Sequence, residues 1–164
     1  MKTIRVITII LFHIIAIQAI CTASDKELSG GRENAEHIGM MGVGFQYLGL
    51  SFRYYGGKLT YEAKGVVDGA VFGYGPRLYY NFNPRSNNVF YIGGEYSIIS
   101  GKTEYQKLEG CSVGAFIGME MFIDYNTSLS LDIGPYSTSL RSEYRDISVT
   151  ADDIVCTISF CYYF

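Results

Sequence analysis

The 164-residue chain contains no tryptophan and only two histidines, and neither sign of charge dominates (13 Lys+Arg against 16 Asp+Glu). Each shortage removes a class of function. A Ser-His hydrolase needs a base within hydrogen-bond reach of its hydroxyl. His13 falls in the leading apolar stretch and His37 beside a linker, which leaves Ser128 and Ser130 without one. No His/Cys cluster has metal-ligand spacing, so neither a metal nor another cofactor is expected. Asp152-Asp153 could hold a divalent cation weakly, but solvated loop charge is the default reading. A basic patch, the usual footprint of nucleic-acid binding, is absent, and no nucleic-acid partner is expected. Gly73-Tyr-Gly75 is not a phosphate loop, because no helix comes after it. Helical periodicity is missing from residue 24 onward.

What is present begins with an export signal. Lys2 and Arg5 precede an apolar stretch from Val6 to Ile20, and Cys21-Thr-Ala23 supplies small residues three and one before a cut after Ala23. Residues 1–23 therefore read as a signal peptide. The stretch is short and interrupted for a membrane anchor. Ile20 directly before Cys21 argues against lipidation. Without Lys2 and Arg5 the chain keeps 11 Lys/Arg against 16 Asp/Glu, a net of −5. It also keeps three cysteines, Cys111, Cys156 and Cys161, and an odd number in an exported chain argues against a disulfide framework.

Residues 24–37 are polar and aperiodic and read as a linker on the periplasmic side. From 38 to 164, short runs of period-two alternation are separated by turn signals, the pattern of strands with two unlike faces. Eight runs are expected: 38–46, 48–55, 58–66, 70–82, 88–100, 109–123, 127–137 and 153–164. Fifteen tyrosines, ten phenylalanines and nineteen glycines suit such a chain. Turns at Gly56-Gly57, Asn83–Asn87 and Asp124–Asn126 share a rim with both termini. The opposite rim carries the connections near Tyr47 and at 67–69, and longer polar loops at 101–108 and 138–152. This pattern places Cys111 and Cys156 on strands that are not neighbours.

One face of the runs is apolar, and the charges fall on the other. Arg53, Lys64 and Arg77 share that face with Glu62, Glu95, Glu120 and Asp132. Eight strands enclose a lumen just wide enough to fill with side chains. Charges there must pair or meet water, and a near-neutral set suits an ion-paired, plugged interior. Glu95 and Glu120 could be pictured as an acid and a base, but Arg53 and Arg77 make structural ion pairing the stronger reading. Gly42, Gly44, Gly73, Gly75, Gly93, Gly114 and Gly118 lie on the polar face and are expected to make room for large partners such as Arg77 and Tyr91. Tyr54, Tyr80, Phe82, Tyr96, Tyr162 and Phe164 stand near strand ends, where membrane barrels carry aromatic girdles.

Gly42-Val-Gly-Phe45, the strand rhythm and the ending Cys161-Tyr-Tyr-Phe164 resemble the small eight-stranded bacterial outer-membrane proteins of the outer membrane protein X type and the transmembrane domain of outer membrane protein A. The resemblance spans about 38–164 and is architectural. It implies an all-β, antiparallel, up-and-down eight-stranded transmembrane β-barrel in the outer membrane of a Gram-negative bacterium, surrounded by lipid and lipopolysaccharide. It also implies insertion by the barrel-assembly machinery, with Ile158, Phe160, Tyr162 and Phe164 as the assembly signal. Neither the long protruding loops of some members nor their peptidoglycan-binding domain is expected.

Three function classes remain. The first is a non-catalytic outer-membrane barrel with a structural or surface-interaction role, meeting an extracellular partner through 101–108 and 138–152. The second is a soluble exported barrel holding an apolar ligand, which would invert every face. The third is an outer-membrane lipid-modifying enzyme, for which the histidine shortage leaves no catalytic residues.

Overall fold

The computed structural model describes residues 37–47, 49–102, 107–142 and 147–164. The expected signal peptide and the linker up to residue 36 lie outside the described residues. The barrel is all-β: β1 (Met40–Gln46), β2 (Gly49–Tyr55), β3 (Leu59–Asp68), β4 (Val71–Asn81), β5 (Asn88–Lys102), β6 (Lys107–Phe122), β7 (Thr127–Ser142) and β8 (Ile147–Tyr163). Every strand pairs antiparallel with the next, and β8 returns to β1, closing an up-and-down barrel.

Turn chemistry explains the tight rim. Gly57 has φ 81°, a left-handed conformation that glycine adopts without a Cβ clash, so β2 and β3 reverse within a few residues. Asn83 donates from Nδ2 to the Asn88 carbonyl (2.5 Å) and accepts from the Phe90 N–H (2.7 Å), pinning the turn between β4 and β5. Asp124 Oδ1 accepts the Asn126 N–H (2.8 Å) in the turn before β7.

A row of paired residues runs round the wall from Gly42 through Arg53, Glu62, Arg77, Glu95, Gly114 and Tyr136 to Asp153. It does not close on itself. The β8 partner of Gly42 is Tyr163, ten residues beyond Asp153. That stagger is the shear of the barrel, which goes with strands tilted by about 35–45° to its axis.

The wall is uneven in height. β1 and β2 have 7 residues each, whereas β5 to β8 have 15, 16, 16 and 17. The difference lies at the rim away from His37 and Phe164. Two sequence expectations are corrected here. Most of the segment 138–152 is strand and not loop: residues 138–142 pair with 147–151 as a continuation of β7 and β8, and 143–146 lie outside the described residues. Likewise Gly101 pairs with Leu108 and Lys102 with Lys107. Ser, Thr and charged residues there suggested a loop, but polar alternation is equally compatible with strands whose backbone groups satisfy one another.

Burial tracks the alternation. Among the described residues, thirty-one large hydrophobic side chains are exposed and eight are buried, so the apolar face of the wall points outward. Pro76 and Pro135 sit inside β4 and β7, each preceded by a glycine. A Cβ on Gly75 would strike the backbone at Tyr96–Ser97, and one on Gly134 the backbone at Ala115–Phe116. The two Gly-Pro pairs therefore mark places where neighbouring strands come unusually close.

Candidate functional site

The interior is the chemically distinctive part of the molecule, and register alone assembles most of it. Arg53 is the direct cross-strand partner of Glu62, Glu62 of Arg77, and Arg77 of Glu95. Four consecutive strands thus place charges of alternating sign in one row. Residues directly opposite on one face have Cβ atoms about 4.5–5.5 Å apart, close enough for the ends of these side chains to meet.

Arg53 Nη1 stands 2.9 Å from Glu120 Oε1, and its Nη2 stands 3.3 Å from Glu62 Oε2. Arg77 is shared more widely. Its Nε lies 3.0 Å from Glu95 Oε2, its Nη2 3.1 Å from Asp132 Oδ2, and its Nη1 3.7 Å from Glu62 Oε2. None of the Arg77 contacts has hydrogen-bond alignment; they are ion pairs by distance. The guanidinium also lies 4.1 Å above the centre of the Phe116 ring. Lys64 Nζ reaches Glu95 Oε2 at 3.2 Å. All seven charged residues picked out in the sequence therefore belong to one connected group.

Hydroxyl groups complete the carboxylate shells. The Tyr79 hydroxyl donates to Glu62, the Tyr163 hydroxyl to Glu120 (2.8 Å) and the Tyr136 hydroxyl to Glu95 (3.0 Å). Ser128 Oγ donates to Glu120 (2.5 Å) and Ser97 Oγ to Glu95 (2.8 Å). Sequence reading missed these tyrosines as network members. The signal was available, since Tyr79, Tyr136 and Tyr163 share the parity of Arg77, Asp132 and Cys161 on their own strands.

Glycines seat the rings, as expected at some positions and not at others. A Cβ on Gly93 would enter the Phe116 ring, one on Gly114 the Tyr136 ring, one on Gly118 the Tyr91 ring, and one on Gly42 the Tyr163 ring. Gly73 and Gly75 seat no ring, since a Cβ at either would meet strand backbone first.

Below the charges, the rim beside Phe164 is closed by Tyr55, Val89, Phe122, Cys161 and Tyr163. His37 lies against this cluster, its ring 3.7 Å from that of Phe122 at an interplanar angle of 4°. The last residue of the expected linker is thus packed, which moves the start of the folded unit ahead of 38. Burial holds the His37 pKa below its ordinary 6.5, against the opposing pull of a backbone hydrogen bond at Tyr125 and the Glu120 charge.

Glu95 and Glu120 belong to different ion pairs, the first with Lys64 and Arg77 and the second with Arg53. Ser128 and Ser130 are buried inside the wall. Ile158, Phe160, Tyr162 and Phe164 are all exposed on the outer face. So are Tyr54, Tyr80, Phe82 and Tyr96. Cys111 and Cys156 sit on β6 and β8, which do not pair, and the three described cysteines are free. Among the described residues no group of His, Cys, Asp and Glu is arranged to hold a metal ion.

Fold and site together define a closed eight-stranded β-barrel with a charged, packed interior and an apolar exterior. No family model and no curated protein matches the chain.

Proposed function

We propose that this chain is an integral outer-membrane β-barrel protein of a Gram-negative bacterium, non-catalytic, with a plugged interior and a structural or surface-interaction role. One observation carries the reading: the distribution of polarity is that of a soluble protein turned inside out. Soluble monomers rarely expose apolar patches beyond a few hundred Å². Here Phe45, Phe52, Tyr61, Ile92, Ile117 and Ile133 are about half exposed, while Arg53, Arg77 and Glu62 are almost fully buried. Hydrocarbon is the surrounding that makes this arrangement favourable, since a closed barrel leaves few backbone groups unpaired.

On this reading residues 1–23 are removed on export. The barrel-assembly machinery then recognises the last strand through Ile158, Phe160, Tyr162 and Phe164. Lipid and lipopolysaccharide surround the wall. An apolar ligand inside a soluble barrel finds no support, because ion pairs and rings fill the interior. Lipid-modifying chemistry finds none either, because the described histidine is stacked on Phe122 at the rim.

Membrane fractionation with heat-modifiable gel migration tests the proposal. The protein should sediment with outer membranes, require detergent for extraction and migrate faster unheated than heated. A chain that stays monomeric in buffer without detergent sinks the reading. Planar-bilayer recordings should show no large, stable conductance.

A further inference from the structure

The pairing of β8 is incomplete. β1 meets β8 only from Gly42 opposite Tyr163 to Gln46 opposite Ser159. Among the described residues, β8 is paired on its β7 side alone from Ile158 back to Ile147. This stretch is long and contains no proline, lysine or arginine between Ile147 and Ile158; its protection against like edges is the carboxylate pair Asp152-Asp153.

A second observation comes from the inward positions at this height. The paired row Gly49, Val66, Gly73, Ile99, Gly110, Leu140 and Val149 contains no polar side chain. It lies four residues along each strand from the charged row. On β6 to β8 the outward face changes in the opposite sense. Ile92, Ile117 and Ile133 point outward low on the wall, whereas Lys107, Glu109, Ser139, Arg141, Ser148 and Thr150 do so high on it. With β1 and β2 too short to face it, no described residue covers this concave surface, and Val149 is 56% exposed.

We propose that the free edge of β8 and the apolar row beside it are the docking site for an extended segment of a partner polypeptide, added to the sheet as one more strand. Its alternate residues are apolar and stand beside Val149, extending the row that Leu140 continues on β7, and lysine or arginine stands opposite Asp152 and Asp153. The edge requires a backbone, since an acyl chain would cover the row and remove water from the N–H and C=O groups without replacing its hydrogen bonds. The charges choose among backbones. Two copies of this chain joined antiparallel through the edge would bring four carboxylates together, and like charges on facing strands are unfavourable. A basic strand turns the same pair into an attraction. The inference rests on the surface-interaction branch of the proposed role, but strand pairing itself does not depend on a bilayer, so the two readings fail separately.

The test uses the purified full-length protein in detergent micelles and the peptide Val-Thr-Val-Thr-Lys-Lys-Val-Thr-Val-Thr as probe, read by amide hydrogen exchange. Amides between Ser148 and Ile158 that do not face β7 should exchange freely alone and at least ten-fold more slowly with peptide. The Asp152→Lys/Asp153→Lys protein should bind this peptide at least ten-fold more weakly and should accept the version with glutamates in place of lysines. The same peptide N-methylated at alternate amides keeps its side chains, leaves the protein unaltered and should not bind. Equal binding by the N-methylated peptide, or no slowing at millimolar peptide, overturns the proposal. Slowing without peptide that tracks dimer formation also overturns it and assigns the edge to a second copy.

Discussion

Two inward-facing rows of this barrel, four residues apart along each strand, have opposite characters. The lower carries Arg53, Glu62, Arg77 and Glu95 on successive strands, and the upper carries Val66, Gly73, Ile99 and Gly110 on nearly the same ones. The lower row faces a closed wall and is buried in ion pairs. The upper row faces a gap left by the short β1–β2 hairpin. The contrast shows that "inside" in a barrel is defined by what stands opposite. Where the wall is complete, the exterior is apolar and charge is confined within. Above the short hairpin the polarity reverses on β6 to β8, as in an ordinary sheet with one wet face and one face awaiting cover.

The largest effect should come from removing one member of the lower row. Arg77→Met leaves Glu62, Glu95 and Asp132 around an uncharged side chain. Breaking a buried ion pair typically costs about 3–5 kcal/mol, because the remaining charge stays desolvated. The urea midpoint of a lipid-reconstituted sample, with band migration as readout, should fall accordingly. Leu140→Asn in the upper row, where the side chain is half-buried, should move it by no more than about 0.5 kcal/mol. Equal effects would erase the distinction between the rows.

The outer faces give the next comparison, on a single strand. On the proposed lipid face, Ile133→Arg should cost about 2–4 kcal/mol, the range for a cation near the bilayer midplane. Ser139→Arg, six residues along β7 and also outward, should cost about 0–1 kcal/mol. Refolding into liposomes with urea titration measures both. Two neutral substitutions would place the wall in water.

How much of this was legible in the sequence depends on which interactions decide each feature. Strand number, order and face came from period-two alternation. The seven interior charges did as well, since parity along a strand fixes the side to which Arg53 or Glu120 points. The buried tyrosines carried the same parity, but an aromatic reads as apolar, and its hydroxyl declares a role only when a carboxylate stands opposite. The upper sheet was hidden for another reason. Residues 138–142 and 147–151 are polar on their outward side and small or apolar inward, so their alternation is weak, and only long-range pairing turns them into strand. The edge of β8 that no described residue pairs could not be read locally, because it depends on β1 ending at Gln46.

A smaller effect tests the packing where the two regimes meet. Gly114 belongs to the charged row, and a Cβ there enters the Tyr136 ring. Gly114→Ala should therefore cost about 1–3 kcal/mol through overpacking. Tyr136→Leu clears the space but leaves Glu95 without the hydroxyl that donates to it. The double variant should be less destabilised than the sum of the singles, with a coupling of about 0.5–3 kcal/mol. Additive effects would mean that the glycine serves the backbone and not the ring.

The smallest effect belongs to the closed end of the barrel, the counterpart of the open upper row. His37 is stacked on Phe122 with its pKa held below 6.5, so the docked ring is neutral. Undocked, it takes up a proton near its ordinary value. Between those two values the undocked state binds more protons, so stability rises with pH. The stabilisation from docking is complete above about pH 6.5 and is lost as pH falls from there toward the lowered folded value. Amide exchange around Met40 and Met41 should therefore quicken between pH 8 and pH 5, once corrected for intrinsic rates. His37→Phe preserves a flat ring against Phe122 and removes the proton. It should abolish that pH dependence while leaving exchange at pH 8 nearly unchanged. If wild type and variant lose protection in parallel, the acid sensitivity belongs to the interior carboxylates, and the histidine serves only as a flat cover over the closed end.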